Sequence, residues 1–237
     1  MLLYILRHGD PIYNPDSLTE KGHLQAQALA KRLASHGIDK IYCSPLIRAQ
    51  QTARPTEILL GKKAQIEEWT SEDKIYSYLS VQEGGTHRWI FHSSKKSHLR
   101  EPEVEKLGYN WYKALVFNDV DGKGAYDFLR KNSDEFLSRH GYEHDFENKR
   151  YIAKNGNDEK IAVFCHQGFS ISWLGVMLDI PLPVAWTTMD VNHSCMTVVE
   201  FKEDKDGLCI PKIITLSNDS HLYKEGLPTQ FENGFYY

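Results

Sequence analysis

Several things are missing from this sequence, and each absence excludes a class of function. No stretch approaches the ~18 consecutive apolar residues of a membrane-spanning helix. The apolar run at the start is interrupted by Arg7 before it could act as a secretory signal. Positive charge is not in excess: the formal net charge of −4 provides no basic field for nucleic acid. There are only four cysteines, Cys43, Cys165, Cys195 and Cys209, and the first three fall in or beside apolar, strand-like segments. They read as buried free thiols of a reducing compartment rather than a disulfide framework. The 11 histidines invite a metal, yet the chain has no His-Glu-x-x-His, no Cys-x-x-Cys and no tight His/Asp cluster with ligand spacing. Internal repeats, low-complexity segments and linkers are also absent. The expectation is a cytoplasmic protein of one domain, residues 1–237, with no metal, no cofactor, and no nucleic-acid or membrane partner.

What is present is the composition of an ordinary globule, 41% hydrophobic and 25% charged. Leu2-Leu3-Tyr4-Ile5-Leu6 is too short for a helix and reads as a buried strand of a parallel sheet. It stops at Arg7-His8-Gly9, which sets a cation and an imidazole at the strand's carboxyl end. In open α/β sheets that edge binds ligands, and glycine after the histidine suggests a tight turn under a bound group. A charged residue and a histidine beside a core strand call for an anionic occupant, which we read as a phosphoryl group. The turn-rich segment from Asp10 to Asp16 should lie over the strand end. Thr19 is the expected N-cap of a helix whose apolar spacing, Leu24, Ala28, Leu29 and Leu33, runs to a stop at Gly37.

The next strand, Lys40-Ile41-Tyr42-Cys43, leads into Ser44-Pro45-Leu46-Ile47-Arg48. Ser44 reads as an N-cap and Pro45 as the first helical residue, which puts a helix N-terminus and Arg48 at a second strand end. Pro55 should kink or shorten that helix. Residues 64–157 have weak periodicity, and about 74–124 reads as an insertion or lid near the crevice. A helix from Gly124 to His140 follows, carrying Tyr126, Leu129, Phe136 and Leu137. Lys160 to Cys165 repeats the opening pattern, closing on His166-Gln167-Gly168 ahead of an apolar helix. Two histidines at the ends of two core strands can face one crevice. Beyond them, Pro181, Pro183 and Trp186 mark a loop, Cys195 to Phe201 a strand, and Ile210 to Leu216 an edge strand broken by Pro211. The tail, Asp219 to Tyr237, is aromatic and could cover the active face or a partner.

Four segments together resemble the histidine phosphatase superfamily, which includes the phosphoglycerate mutases. They are Leu3-Tyr4-Ile5-Leu6-Arg7-His8-Gly9, Leu18-Thr19-Glu20-Lys21-Gly22 with Gln25-Ala26, Ser44 through Ala53, and Cys165-His166-Gln167-Gly168. The resemblance implies a three-layer α/β/α sandwich, a mainly parallel sheet between helices with inserted segments capping the site. It implies His8 as the nucleophile that takes a phosphoryl group, with Arg7, Arg48 and His166 on its oxygens. Asn14 matches a family phosphate contact, and Gln167 joins the phosphate-binding set. Glu68 is the expected proton donor, because Ile66-Glu67-Glu68-Trp69-Thr70 looks like the family's Glu-Trp segment; Glu67, Glu72 and Glu83 are the alternatives. The chemistry agrees, since preorganised cations stabilise a phosphoryl group in transfer and neighbouring arginines keep a histidine unprotonated.

The sequence departs from the family where Asp10-Pro11 replaces the commoner Glu-Thr or Glu-Ser, and the mutase-like Glu-Arg-x-Tyr-Gly segment is missing. A metal-independent phosphatase acting on a small-molecule phosphate monoester is therefore expected. The alternatives are a phosphoglycerate-type mutase and a phospholigand-binding module without turnover. Oligomeric state is not legible.

Overall fold

The computed structural model describes residues 1–228. Strand β1 (Leu2–Arg7) and the hairpin β2 (Pro11–Tyr13) and β3 (Asp16–Leu18) lead to α1 (Glu20–His36), β4 (Lys40–Cys43), α2 (Ile47–Leu60) and β5 (Gln65–Ile66). Then come α3 (Glu72–Leu79), a second hairpin of β6 (Ser80–Glu83) and β7 (Thr86–Trp89), α4 (Pro102–Leu107) and α5 (Gly122–Arg139). The remainder is β8 (Tyr142–Asp145), β9 (Arg150–Ala153), β10 (Lys160–Cys165), α6 (Gln167–Met177), α7 (Leu182–Thr188), β11 (Met196–Glu200), β12 (Leu208–Cys209), β13 (Lys212–Asn218) and α8 (Ser220–Lys224).

The main sheet has the order β13-β11-β1-β10-β4-β5. Pairings among β1, β10, β4 and β5 are parallel, and β11 and β13 extend the sheet antiparallel. Alternation along the central strands divides the core between two faces. Leu3, Ile5, Ile161 and Val163 point to the layer of α5 and α6, whereas Tyr4, Leu6, Ala162 and Phe164 point to that of α1 and α2. A strand buried on both faces has no polar positions to spare, hence the continuous apolar runs. The expected α/β sandwich is the observed fold. All four cysteines are buried and free.

Local details differ from the sequence reading in instructive ways. Thr19 caps α1, accepting from Gly22 N at 3.0 Å, and Gly37 closes it in the left-handed region. Leu24, counted with the core spacing, faces solvent at 49% exposure. Ser44 is not a cap: α2 begins at Ile47 with Leu46 in the capping position, and Ser44 instead pairs with His166. Pro55 does not end α2, which continues to Gly61 because Ala49, Thr52, Ala53 and Thr56 bury its inner face. The Pro181–Trp186 stretch is a helix, α7, with proline in its first turn, where a missing N–H costs nothing. The edge strand starts after Pro211 rather than across it. Residues 74–124 form most of α3, the β6–β7 hairpin, a run of short 3-10 turns and α4, before α5 opens. Residues 219–228 of the expected aromatic tail carry α8; the rest lies outside the described residues.

Candidate active site

The carboxyl ends of β1 and β10 stand side by side, in the register Arg7 to Cys165. The two strand-end histidines are thereby adjacent, with ring centroids 5.2 Å apart. His8 is held by its backbone on both sides: its N–H donates to Cys165 O at 3.0 Å and its carbonyl accepts from Ser194 N at 2.9 Å. Gly9 is needed here for close approach, not for a turn. A Cβ on Gly9 would stand 2.7 Å from Gly22 O, and one on Gly22 would stand 2.3 Å from Asp10 O.

The His8 ring is oriented by chemistry that leaves one tautomer. Its Nδ1 lies 2.7 Å from Gly9 O, and a carbonyl only accepts, so Nδ1 carries the proton. The lone pair is therefore on Nε2, which accepts from Arg48 Nε at 3.3 Å. Burial, the neighbouring His166 and the Arg7 charge, in that order, hold the His8 pKa well below its ordinary value. His8 is thus a neutral imidazole with its lone pair beside a guanidinium, poised to meet an electrophile that carries negative charge.

Around it stand two guanidiniums, a second imidazole and a carboxylate. Arg7 Nη1 donates to Val191 O at 2.7 Å and Nη2 pairs with His193 Nε2 at 2.7 Å. Arg48 donates from Nη1 to Asp16 at 2.9 Å and from Nη2 to Glu72 Oε2 at 3.4 Å. His166 Nε2 lies 2.7 Å from Ser44 Oγ, and its Nδ1 lies 3.9 Å from Glu72 Oε2. Glu72 Oε1 accepts from Gly168 N at 2.9 Å, in the first turn of α6. Burial raises the Glu72 pKa against the opposing pull of Arg48, Arg7 and the Gly168 N–H. Arg48 and Glu72 open onto a cavity of about 600 Å³ whose far wall includes Tyr76, Trp89 and His92.

Of the residues singled out from sequence, Arg7, His8, Arg48 and His166 come together. Glu68 does not. Its side chain is 70% exposed beside Lys74 at 3.9 Å, because Glu68 sits in a 3-10 turn before α3 and points away from the cavity. Glu67 is engaged elsewhere, accepting from Trp69 Nε1 at 2.9 Å and Arg139 at 2.8 Å. Glu83 accepts from Ser94 N on the hairpin side. Glu72, one of the alternatives, is the carboxylate that reaches the histidines. Asn14 is exposed in the β2–β3 turn, and the Gln167 amide donates to Asp190 at 2.6 Å. The sequence reading assigned no role to His193, whose ring lies 5.6 Å from that of His8. Its signal was positional: β11 runs antiparallel to β1, so the Asn192-His193-Ser194 entry to that strand falls at the carboxyl end of β1.

One atom each from His8, Glu72 and His166 lie within 4.8 Å of one another, a spacing a cation could bridge. Arg48 touches two of these three residues, which makes the position electrostatically poor for a metal and favourable for an anion.

Residues 3–74 match the model of the histidine phosphatase superfamily (branch 1). The chain is 25% identical over 212 residues to the adenosylcobalamin/alpha-ribazole phosphatase of Salmonella typhimurium, covering 86% of this chain and 92% of that one. Its fold is similar to that of a mycobacterial glucosyl-3-phosphoglycerate phosphatase bound to inorganic phosphate, with a TM-score of 0.62, 17% identity, and coverage of 93% and 98% of the two chains. A phosphoserine phosphatase of Entamoeba histolytica in complex with 3-phosphoglyceric acid superposes with a TM-score of 0.59 at 17% identity, with the same coverage.

Proposed function

We propose that the protein is a metal-independent phosphatase that hydrolyses small-molecule phosphate monoesters through a phosphohistidine on His8. The observation that carries this reading is the His8 ring itself: Nδ1 is committed to Gly9 O, and the Nε2 lone pair is turned toward Arg48. The 25% identity to a phosphatase over most of both chains supports it.

In the first step the Nε2 lone pair attacks phosphorus and the bond to the ester oxygen breaks. Arg48 Nε releases His8 and donates to a phosphoryl oxygen, exchanging a neutral acceptor for a charged one. Arg7 and His166 take the remaining equatorial charge. Glu72, whose pKa burial raises, is the group that gives a proton to the departing alkoxide. In the second step the Glu72 carboxylate takes a proton from water, the oxygen attacks phosphorus, and the P–N bond returns its electron pair to Nε2. Phosphate leaves and Glu72 is again an acid.

The test is phosphate release from p-nitrophenyl phosphate with chelator present, comparing wild type with His8→Ala. Activity in the first and none in the second is expected, with an acid-labile phosphoryl group trapped on His8 in quenched wild type. Activity that survives in His8→Ala, or disappears with chelation, refutes the reading. Phosphorus NMR of the product distinguishes hydrolysis, which yields free phosphate, from mutase chemistry, which yields an isomeric ester.

A further inference from the structure

Glu72 and Tyr76 are four residues apart on α3, so they share one face of the helix, a single turn from each other. Both line the cavity, and the proton of Glu72 must go to the atom that links the phosphoryl group to its alcohol. The body of that alcohol therefore lies along Tyr76 and whatever Tyr76 touches. It touches Trp89: the two rings meet edge to face with centroids 4.9 Å apart.

Trp89 is a fixed wall. Its ring stacks on Phe91 at 5.0 Å and 24°, and Phe91 stacks in turn on Trp186 at 5.3 Å and 24°. Phe91 and Trp186 are buried, while Trp89 and Tyr76 remain partly open to the cavity. The indole edge also rests on Gly168, where a Cβ would stand 2.5 Å from Trp89 Cζ2. The residue whose N–H holds Glu72 is thus the one against which the tryptophan is seated. Acid and aromatic wall are registered to each other through a single glycine.

We propose that Tyr76 and Trp89 form a stacking platform for the leaving group, and that the substrates are phosphate monoesters of ring-bearing alcohols (aromatic or heterocyclic) rather than of short open-chain ones. This rests on the proposed phosphatase reading, which makes Glu72 the proton donor, and the binding arm below tests it without turnover. A preorganised ring surface binds a planar group without first having to order itself, and one good stacking partner changes affinity by roughly ten-fold.

The experiment compares benzyl phosphate with propyl phosphate, whose alcohols are close in acidity, in wild type, Trp89→Leu and Tyr76→Leu. The wild type should favour the benzyl ester in kcat/KM, and each substitution should reduce that preference, the ratio of the two kcat/KM values, by about ten-fold. In parallel, calorimetry measures binding of benzylphosphonate and propylphosphonate, which cannot be hydrolysed. If no ester is turned over, the phosphatase reading fails, and the phosphonate pair still decides the platform. Equal affinity for the two phosphonates in wild type, or an equal loss for both in Trp89→Leu, overturns the platform. Near-ultraviolet circular dichroism of the variants identifies any that fails to fold, in which case Trp89→Phe, which keeps a ring, should retain the preference.

Discussion

Glu68 and Glu72 are separated by four residues and end in opposite surroundings. One is in solvent beside Lys74; the other is drawn against Gly168 N, Arg48 and His166. Replacing Glu72 with Gln should lower kcat for an alkyl phosphate by about 10²–10⁴-fold, and Glu68→Gln should leave it unchanged. Glu72→Gln should slow p-nitrophenyl phosphate much less in the first step, since p-nitrophenolate leaves without a proton. The pH profile carries the same information. A raised pKa keeps Glu72 protonated to higher pH than an ordinary carboxyl, so activity on alkyl esters should fall as pH rises through that pKa, and Glu72→Gln should abolish this limb. His8, shifted the other way, remains neutral across the range and contributes no loss there. His193 is a positioning residue. Its Nε2 accepts from Arg7, and burial, with Arg7 and Lys21 adding, pushes its pKa down to about 2, so it stays a neutral acceptor. His193→Leu should cost roughly 10–100-fold in kcat/KM, the worth of a hydrogen bond to a charged group, and His193→Gln, which keeps an acceptor, should restore much of it.

Among the elements, α1 and the loop after β1 are joined by close backbone contact as well as by side chains, Gln25 Oε1 accepting from Asp10 N at 2.7 Å. Gly22 lies in the first turn of α1, under Asp10 O, and Thr19 ties the same two segments by bonding both Gly22 N and the Asp10 carboxylate. Gly22→Ala should destabilise the protein by about 1–3 kcal/mol through overpacking, measured by denaturant unfolding, and should reduce turnover by displacing the His8 segment. Sequence reasoning found this region because strand, cap and stop residues each have a local signature: the runs ending at Arg7 and Cys165, Thr19 as cap and Gly37 as stop all stand as read. It failed where a residue's role is set by distant partners. Ser44 looks like a cap until His166 claims its hydroxyl. Glu68 and Glu72 are indistinguishable in a string of carboxylates until the 3-10 turn before α3 sets their directions. Pro183 looks like a loop residue because a proline in the first turn of a helix reads the same as one outside it.

At the scale of the whole molecule, a second charged centre lies between α5, β8 and the segment after α6. His144 stacks on Tyr151 at 4.4 Å and is bonded by Asp134 at 2.8 Å and Asp179 at 3.2 Å. Burial disfavours the imidazolium, but the bonds and charges of Asp134 and Asp179 outweigh it and raise the pKa to about 9. The folded pKa exceeds the unfolded one, so this stabilisation is complete below about pH 6.5 and is lost as pH rises through about 9. His144→Gln should lower stability at pH 6 by roughly 3 kcal/mol, and the gap to wild type should close above pH 9 in thermal unfolding across the pH series. No helix among the described residues is long and apolar enough to cross a membrane.

The contacts of His8 come from the sheet edge and from Arg48, while the cavity beyond Glu72 is walled on one side by α3, the β6–β7 hairpin and the turn that follows, and on the other by Tyr13, Asp16, Leu46 and Arg48. The first of these walls is a tract of chain separate from the one that holds His8, and it meets the histidines at Glu72 and Gly168. A graft confined to residues 76–92 would therefore replace one wall of the site and leave every bond to the histidine intact. The molecule is built as a socket with an interchangeable fitting, and new substrates can be sought by exchanging the fitting alone.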